Sequence, residues 1–263
     1  MVEAIELHCC ILWIMIKYIE HQWNNADYIK KGYKAMNKNQ NTSIQIMLKD
    51  KIKKQKLGEP IIVKDVQRQI AKASGMDVDQ VNRGVIAGMR FFLRDKDIKL
   101  KRFQRGVYYR YCKGVFGDTV IDKERLIYKK YLGNFKGYET GPKLLLGLGL
   151  TTHLTNLPRK FVSNAARNRS FKDNELNIDI TRPRTVLNKK NLRYFQLLDT
   201  ILMVKLIPVD AKDPIEIYLK FIKTYKLTLT AIELLANTYY KNEKYLFTIL
   251  ERIKERHGVN AIT

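Results

Sequence analysis

Arginine side chains recur in one stretch of the chain at spacings that suit contact with a phosphate backbone. Arg83, Arg90 and Arg94 are seven and four residues apart, so an α-helix would bring them to one side. Guanidinium groups form bidentate hydrogen bonds with phosphates and with the edge of guanine. We expect Asn82 and Arg83, near the start of the helix, to meet base edges. Arg90 and Arg94 would then contact phosphates.

A second group of cations follows directly after this helix. Residues 98–110 have strand-forming side chains on both sides of Arg105-Gly106, which predicts a short two-stranded ribbon with a glycine at its tip. The basic residues that we expect to contact DNA are Lys99, Lys101, Arg102 and Arg105. They would hold the backbone or the minor groove, so binding would weaken steeply as salt is raised. Tyr108 and Tyr109 are expected to pack within the strand rather than to stack on bases.

The segments before the arginine helix predict the scaffold that would position it. Ile44 to Lys56 has apolar residues at helical spacing, and Ile61 to Val63 is a short extended piece. Lys64 to Ala73 gives a second helix, which Ser74-Gly75 would end. Asp77 would cap the third helix by accepting a backbone N–H bond.

The third helix has a predicted core stripe opposite its arginines. The stripe consists of Val78, Val81, Val85, Met89 and Phe92. Helix, short strand, helix, helix and ribbon is the order of a winged helix-turn-helix, a DNA-binding fold. We assign this domain to residues 47–120.

Residues 1–46 match none of this pattern and are interpreted as a leader or linker. Leu7 to Tyr18 could be a short apolar helix, and Asn24 to Ser43 is polar and rich in Asn and Lys. Either the segment is an accessory helix on a tether, or translation begins at Met36 or Met47 and the segment is not translated natively. We favour the second interpretation, because the first clear helical pattern starts near Ile44.

The chain as a whole is strongly basic. In 263 residues, Lys and Arg exceed Asp and Glu by 23. Such a field favours polyanionic partners, of which nucleic acid is the commonest, although charge alone does not decide. Cys9, Cys10 and Cys112 form no CxxC pair, which indicates neither a disulfide framework nor structural zinc and fits a cytoplasmic protein. No apolar run has the roughly 20 residues of a membrane span.

The second predicted domain covers residues 121–263. Asp122 to Leu132 predicts a polar helix, and Pro142 favours a helix for the apolar run after it. Strands are predicted over Lys160 to Ala165 and Leu176 to Thr181. Helical spacing then continues over residues 191–204, 214–224, 228–240 and 243–256. The predicted fold class is α+β: an N-terminal winged helix-turn-helix, then a mixed α/β domain with a helical C-terminal tail.

Signals for catalysis are weak. Asp210-Ala211-Lys212 has the D-x-K spacing of a nuclease metal site, and Asp179 could complete a degenerate site, but no Pro-Asp pair precedes them. Gly147-Leu148-Gly149 lacks the strand, third glycine and acidic residue of a dinucleotide site. We therefore predict a protein that is not an enzyme, with no cofactor and no metal.

Three motifs follow one another from the ribbon onward. They are Arg-Gly-Val-Tyr-Tyr at 105–109, Gly-Leu-Gly-Leu-Thr-Thr at 147–152 with Leu157-Pro158 after it, and Ile-Thr-Arg-Pro-Arg at 180–184. In this order and at these separations, they resemble the antitoxins of the abortive-infection E (AbiEi) type, from type IV toxin-antitoxin systems. The resemblance covers roughly residues 47–205. The chain departs from it in its long leader and in His-Leu-Thr-Asn at 153–156, where many relatives have a shorter approach to the Leu-Pro pair.

The resemblance implies a winged helix that binds inverted repeats in its own promoter DNA, and a C-terminal domain that counteracts a nucleotidyltransferase-like toxin. It is the main support for a toxin or nucleic-acid contact by a second basic group, which otherwise reads as exposed loop charges. This group consists of Arg182, Arg184, Lys189, Lys190 and Arg193. Inverted repeats would need a homodimer or two monomers side by side on DNA.

Three functions stay open on the sequence. The first is a non-catalytic antitoxin of an abortive-infection system, a form of phage defence, that also acts as a transcriptional autorepressor. The second is a winged-helix transcription factor without a toxin partner. The third and least favoured is a metal-dependent enzyme acting on nucleic acid, with Asp179, Asp210 and Lys212 at its centre.

Overall fold

The computed structural model describes residues 43–115, 117–153 and 158–260. The chain divides into two compact units between Ile121 and Asp122, where the sequence placed a boundary near residue 120. Both units combine helices and strands, and the last part of the chain is helical. The predicted α+β class and the helical C-terminal region are therefore confirmed. The interpretation of residues 1–42 lies outside the described residues.

The described residues of the N-terminal unit form three helices and a small antiparallel sheet. Residues 43–54 are helical and form α1. The elements that follow are β1 (Pro60–Ile62), α2 (Val63–Ser74), α3 (Val78–Phe92), β2 (Leu100–Gln104), β3 (Val107–Arg110), β4 (Lys113–Gly114) and β5 (Gly117–Asp118). Strands β1, β3 and β2 pair in that order, and β4 with β5 forms a separate two-stranded hairpin.

The core of this unit is built from the apolar faces of its three helices. Ile44 in α1 and Ile70 in α2 are fully buried, as is the α3 stripe from Val81 to Phe92. The prediction that Val78 belongs to this stripe is wrong, since 59% of its side chain is exposed. Val78 is the first residue of α3, so the buried stripe begins one turn later, at Val81.

Residues 43–46 belong to this unit, although the sequence assigned them to the leader. They form the first turn of α1, and Ile44 has no exposed surface. A burial of this kind contributes about 2 kcal/mol to stability. The predicted boundary at Met47 therefore falls inside α1, and Ile44 belongs to the core of this unit.

Two glycines of α3 allow α1 to approach closely. A β-carbon at Gly84 would lie 3.0 Å from the Ile44 side chain, and one at Gly88 would lie 2.7 Å from Leu48 Cδ2. Gly84 and Gly88 are one turn apart and therefore share a face of α3. The missing side chains leave room for the two buried residues of α1, so the helices pack with little space between them.

The C-terminal unit places a four-stranded sheet beside a group of helices. Its elements are α4 (Lys123–Ile127), a π-helical turn (Tyr128–Leu132), β6 (Gly137–Thr140), α5 (Pro142–Leu148), β7 (Arg159–Ser163), β8 (Phe171–Asp173), β9 (Ile178–Thr181), α6 (Leu192–Met203), α7 (Pro214–Tyr225), α8 (Leu229–Tyr239) and α9 (Lys244–Asn260). The strand order is β6-β7-β9-β8. Only the β7–β9 pair among these is parallel.

The sequence predicted most of these elements and missed two strands. Both predicted strands are present as β7 and β9, and the helices predicted from residue 142 onward are α5 to α9. Strand β6 was missed because it lies in a glycine-rich stretch, and β8 because it has only three residues. Among the described residues, no helix has the length and apolar character that a membrane crossing requires.

Candidate nucleic-acid interface

Helix α3 begins at a well-formed cap, which fixes where its exposed side chains point. The Asp77 carboxylate accepts hydrogen bonds from the backbone N–H groups of Asp79 and Gln80, at 3.0 and 3.1 Å. Just before it, Gly75 ends α2 in the left-handed conformation, with φ of 63°. The predicted cap at Asp77 and the predicted end of the second helix at Ser74-Gly75 are both confirmed. Helix α2 ends at Ser74 and α3 begins at Val78, so the connection between the two helices is only three residues long.

The solvent-facing side of α3 carries arginines, as its sequence predicted. Arg83, Ala87 and Arg90 are exposed at helical spacing, opposite the buried face. Asn82 is half-buried at the flank of this side. Arg94 is also exposed, but the prediction that it lies on the helix is wrong, because α3 ends at Phe92. The residue follows the C-cap, where its backbone N–H bonds to the Phe91 carbonyl in a tighter turn.

An open groove of about 710 Å³ brings the helix and the ribbon together. Its lining includes Arg90 of α3, Arg102 and Arg105 of the ribbon, and Lys64 of α2. Its remaining surface is largely apolar and comes from Val63, Ile86, Met89, Leu93 and Tyr108. We call it the cationic groove. Four positive side chains around one depression favour a polyanion over any neutral ligand.

The strand register explains which ribbon residues reach the groove. Arg102 pairs across the ribbon with Tyr108, and both line the groove. Because side chains alternate between the two faces of a strand, Lys101 points to the opposite face. There it forms an ion pair with Asp118 and lies 4.4 Å from the centre of the Tyr111 ring. The hydrogen bond that Lys101 donates to the Asp118 carboxylate raises the pKa of Lys101.

Of the four ribbon cations that the sequence assigned to DNA contact, two line the cationic groove and two do not. Lys101 is engaged with Asp118, which offsets its charge. Lys99 is exposed just before β2, with a left-handed backbone (φ 47°), and does not line the groove. Arg102 and Arg105 remain as the pair that the ribbon turns toward α3. Tyr108 packs partly against the core, as predicted.

Arg110 has a structural role that the sequence reading missed. Its Nη1 donates to the backbone carbonyls of Lys53 and Gln55, at 2.6 and 2.9 Å. These carbonyls lie at the C-terminal end of α1, where backbone acceptors lack helical partners and where the helix dipole favours a cation. No local signal could have revealed this contact, because the two ends are 57 residues apart in the chain.

The second basic group, in the C-terminal unit, is not a single exposed cluster. Arg184 donates to the Tyr239 carbonyl at 3.2 Å and lies over the Tyr240 ring. Arg193 donates to Gln196 Oε1 at 2.6 Å and lies over another ring, that of Tyr225.

The other members of this group keep free surface. Arg182, Lys189 and Lys190 are exposed. Arg182 and Arg184 line a shallow groove of about 490 Å³ together with Arg167, which the sequence reading did not single out. The structure thus brings two of the five predicted residues together at this groove and gives Arg193 an internal partner.

The residues proposed for a metal site have other partners. Asp210 accepts hydrogen bonds from the backbone N–H and the hydroxyl of Thr152, and the hydroxyl bond lowers the pKa of Asp210. Asp179 lies within β9, opposite Lys160 and Lys172 on the neighbouring strands. Over the described ranges, no three His, Cys, Asp or Glu side chains are grouped as a metal ion would require.

A largely buried carboxylate links three elements of the C-terminal unit. Asp199 of α6 accepts hydrogen bonds from the Tyr138 hydroxyl of β6 at 2.6 Å and from the Tyr240 hydroxyl after α8 at 2.7 Å. Burial raises the pKa of Asp199 above its ordinary value of 3.8, although the two hydroxyls and nearby Arg184 act in the other direction. Ionising this group therefore costs stability.

We expect a pH-dependent difference between the native chain and Asp199→Asn. The folded pKa is the higher one, so the native chain is relatively most stable below pH 3.8 and loses that advantage as pH rises through the folded pKa. The loss should be about 1.4 kcal/mol for each pH unit in that window. Urea unfolding of both chains over a pH series measures it. A difference that stays constant or grows in favour of the native chain would contradict the assignment.

Comparison of the chain with models of known protein families, with curated proteins and with solved structures gives no match.

Proposed function

We propose that residues 43–121 form a winged helix-turn-helix that binds duplex DNA, with α3 as the recognition helix and the β2–β3 ribbon as the wing. The observation that carries this proposal is the cationic groove, where Arg90 of the helix and Arg102 and Arg105 of the ribbon face one depression. A helix that enters the major groove has its neighbouring wing close to the DNA backbone. Phosphates held by those arginines would orient the helix, and Arg83 would reach base edges.

The charges around the groove support DNA over a smaller anion. Arg83 and Arg94 extend the positive surface along and beyond α3. From Arg83 to Arg90 the helix rises by about 10 Å, which matches about three base-pair steps of 3.4 Å. A single phosphate would use one of these sites and leave the others unoccupied. A polyanion with regularly spaced charges would use them together.

Binding of the intact chain to duplex DNA from upstream of its own coding sequence tests this proposal. The logarithm of the association constant should fall linearly with the logarithm of salt concentration, by about 0.9 for each phosphate held. Arg102→Ala with Arg105→Ala should reduce that slope by about 2. Lys54→Ala with Lys56→Ala removes the same charge from exposed positions outside the groove and should leave the slope nearly unchanged. No binding at low salt, or equal slopes for both variants, would overturn the proposal.

We further propose that the protein is a non-catalytic antitoxin and autorepressor, as its resemblance to the abortive-infection E antitoxins implies. The three motifs of the resemblance support this step, and the C-terminal groove with Arg167, Arg182 and Arg184 offers a surface for an acidic partner. The decisive observation is the neighbouring gene. A reading frame for a nucleotidyltransferase-like protein, toxic alone and tolerated with this chain, supports the antitoxin role. If no such reading frame lies beside the gene, the alternative function, a winged-helix transcription factor without a toxin partner, is favoured.

A further inference from the structure

An exposed isoleucine lies between Arg83 and Arg90 on α3. Ile86 is 44% exposed and lies three residues after Arg83 and four before Arg90, so the three share one face. Ala87, which follows Ile86 in the chain, is exposed and small. Ile86 also lines the cationic groove. It is therefore accessible from the same direction as the arginines on both sides of it.

The major groove of B-DNA displays one apolar group, the C5-methyl of thymine. An aliphatic side chain that meets this methyl removes both from water, which favours thymine over a base that lacks it. Arginines discriminate in a different way, by donating two hydrogen bonds to guanine O6 and N7. A helix face that carries an isoleucine next to a base-contacting arginine thus has the chemistry to read a thymine beside a guanine.

We propose that Ile86 is a specificity-determining residue that contacts the 5-methyl group of a thymine in the bound DNA. This inference rests on the proposed DNA-binding function and names the base that one position of α3 selects. Arg83 lies one turn before Ile86, so the thymine would neighbour the base pair that Arg83 approaches, while Arg90, one turn after it, would hold a phosphate.

Replacing thymine by uracil isolates this contact, because it removes the methyl group and keeps every hydrogen-bonding group of the base. The probe is duplex DNA from upstream of the coding sequence, prepared with thymine or with uracil at every thymine position. The intact chain should bind the uracil duplex at least about fourfold more weakly, the factor expected for burial of one methyl group. Ile86→Ala should bind both duplexes equally.

Ile46→Ala is the matched control. Ile46 is an isoleucine of the same unit, 59% exposed, on α1 rather than on α3. This variant should keep the full preference for thymine. Equal binding of both duplexes by the native chain would overturn the inference and leave DNA binding intact. An undiminished thymine preference in Ile86→Ala would assign the contact to another residue, and no binding to either duplex would remove both proposals.

Discussion

Arg83→Ala combined with Arg90→Ala should abolish specific DNA binding while leaving the fold unchanged. Both side chains are exposed on α3, and neither contributes to the buried face of the helix. A base-contacting or phosphate-contacting arginine is worth about 1 to 3 kcal/mol, so the pair should weaken binding roughly 1,000-fold. Titration of the upstream duplex by fluorescence anisotropy, with amide hydrogen exchange to check the fold, measures both parts.

The charge-matched control is Lys54→Ala combined with Lys56→Ala. These two lysines are exposed near the end of α1, outside the cationic groove, and the variant has the same net charge as the arginine pair. We expect its affinity to change by less than about threefold, since only the general field is reduced. Full binding by the arginine variant, or an equal loss in both variants, would be incompatible with recognition by α3.

Arg110→Ala should destabilise the N-terminal unit by about 3 kcal/mol. The guanidinium group donates to the Lys53 and Gln55 carbonyls at the end of α1, and charged donors stabilise such acceptors more strongly than neutral ones. Removing it leaves these carbonyls without their side-chain donor and takes a cation away from the negative end of the helix dipole. Amide hydrogen exchange of residues 43–54 in the intact chain should rise accordingly.

Arg102→Ala separates this effect from a general loss of charge on the ribbon. Arg102 is exposed on the neighbouring strand, where its Nε donates a weak hydrogen bond of 3.4 Å to the Gln104 carbonyl. Its removal should change stability by less than about 0.5 kcal/mol while weakening DNA binding. Unchanged exchange in Arg110→Ala, or equal destabilisation by both variants, would refute the capping role of Arg110.

The parts of this molecule that were predictable from sequence are those set by neighbours in the chain. Asp77 caps α3 through residues two and three positions later, and the buried stripe from Val81 to Phe92 follows helical spacing. The ribbon could be predicted because a glycine, Gly106, separates two strand-forming segments. Glycine readily adopts the positive φ that a tight turn requires, and Gly106 has it.

The parts that could not be predicted depend on residues far apart in the chain. Arg184 was predicted to contact a toxin or nucleic acid, yet it donates a hydrogen bond to the carbonyl of Tyr239, 55 residues later in the chain. Lys101 and Arg102 are adjacent and equally basic, and only the strand register decides which one faces α3. Strand β6 has no apolar alternation in its own sequence, so its place beside β7 comes from pairing rather than from pattern.

The close approach of α1 to Gly84 and Gly88 has a consequence for the opposite face of α3. These glycines let α3 lie deep against α1, so how far Arg83 and Arg90 project from the unit depends on buried residues. A larger side chain at position 88 would displace α3 outward and change how far its arginines reach toward the DNA that we propose as the partner. The packing of the buried face of α3 thus determines how far its exposed face stands out from the unit.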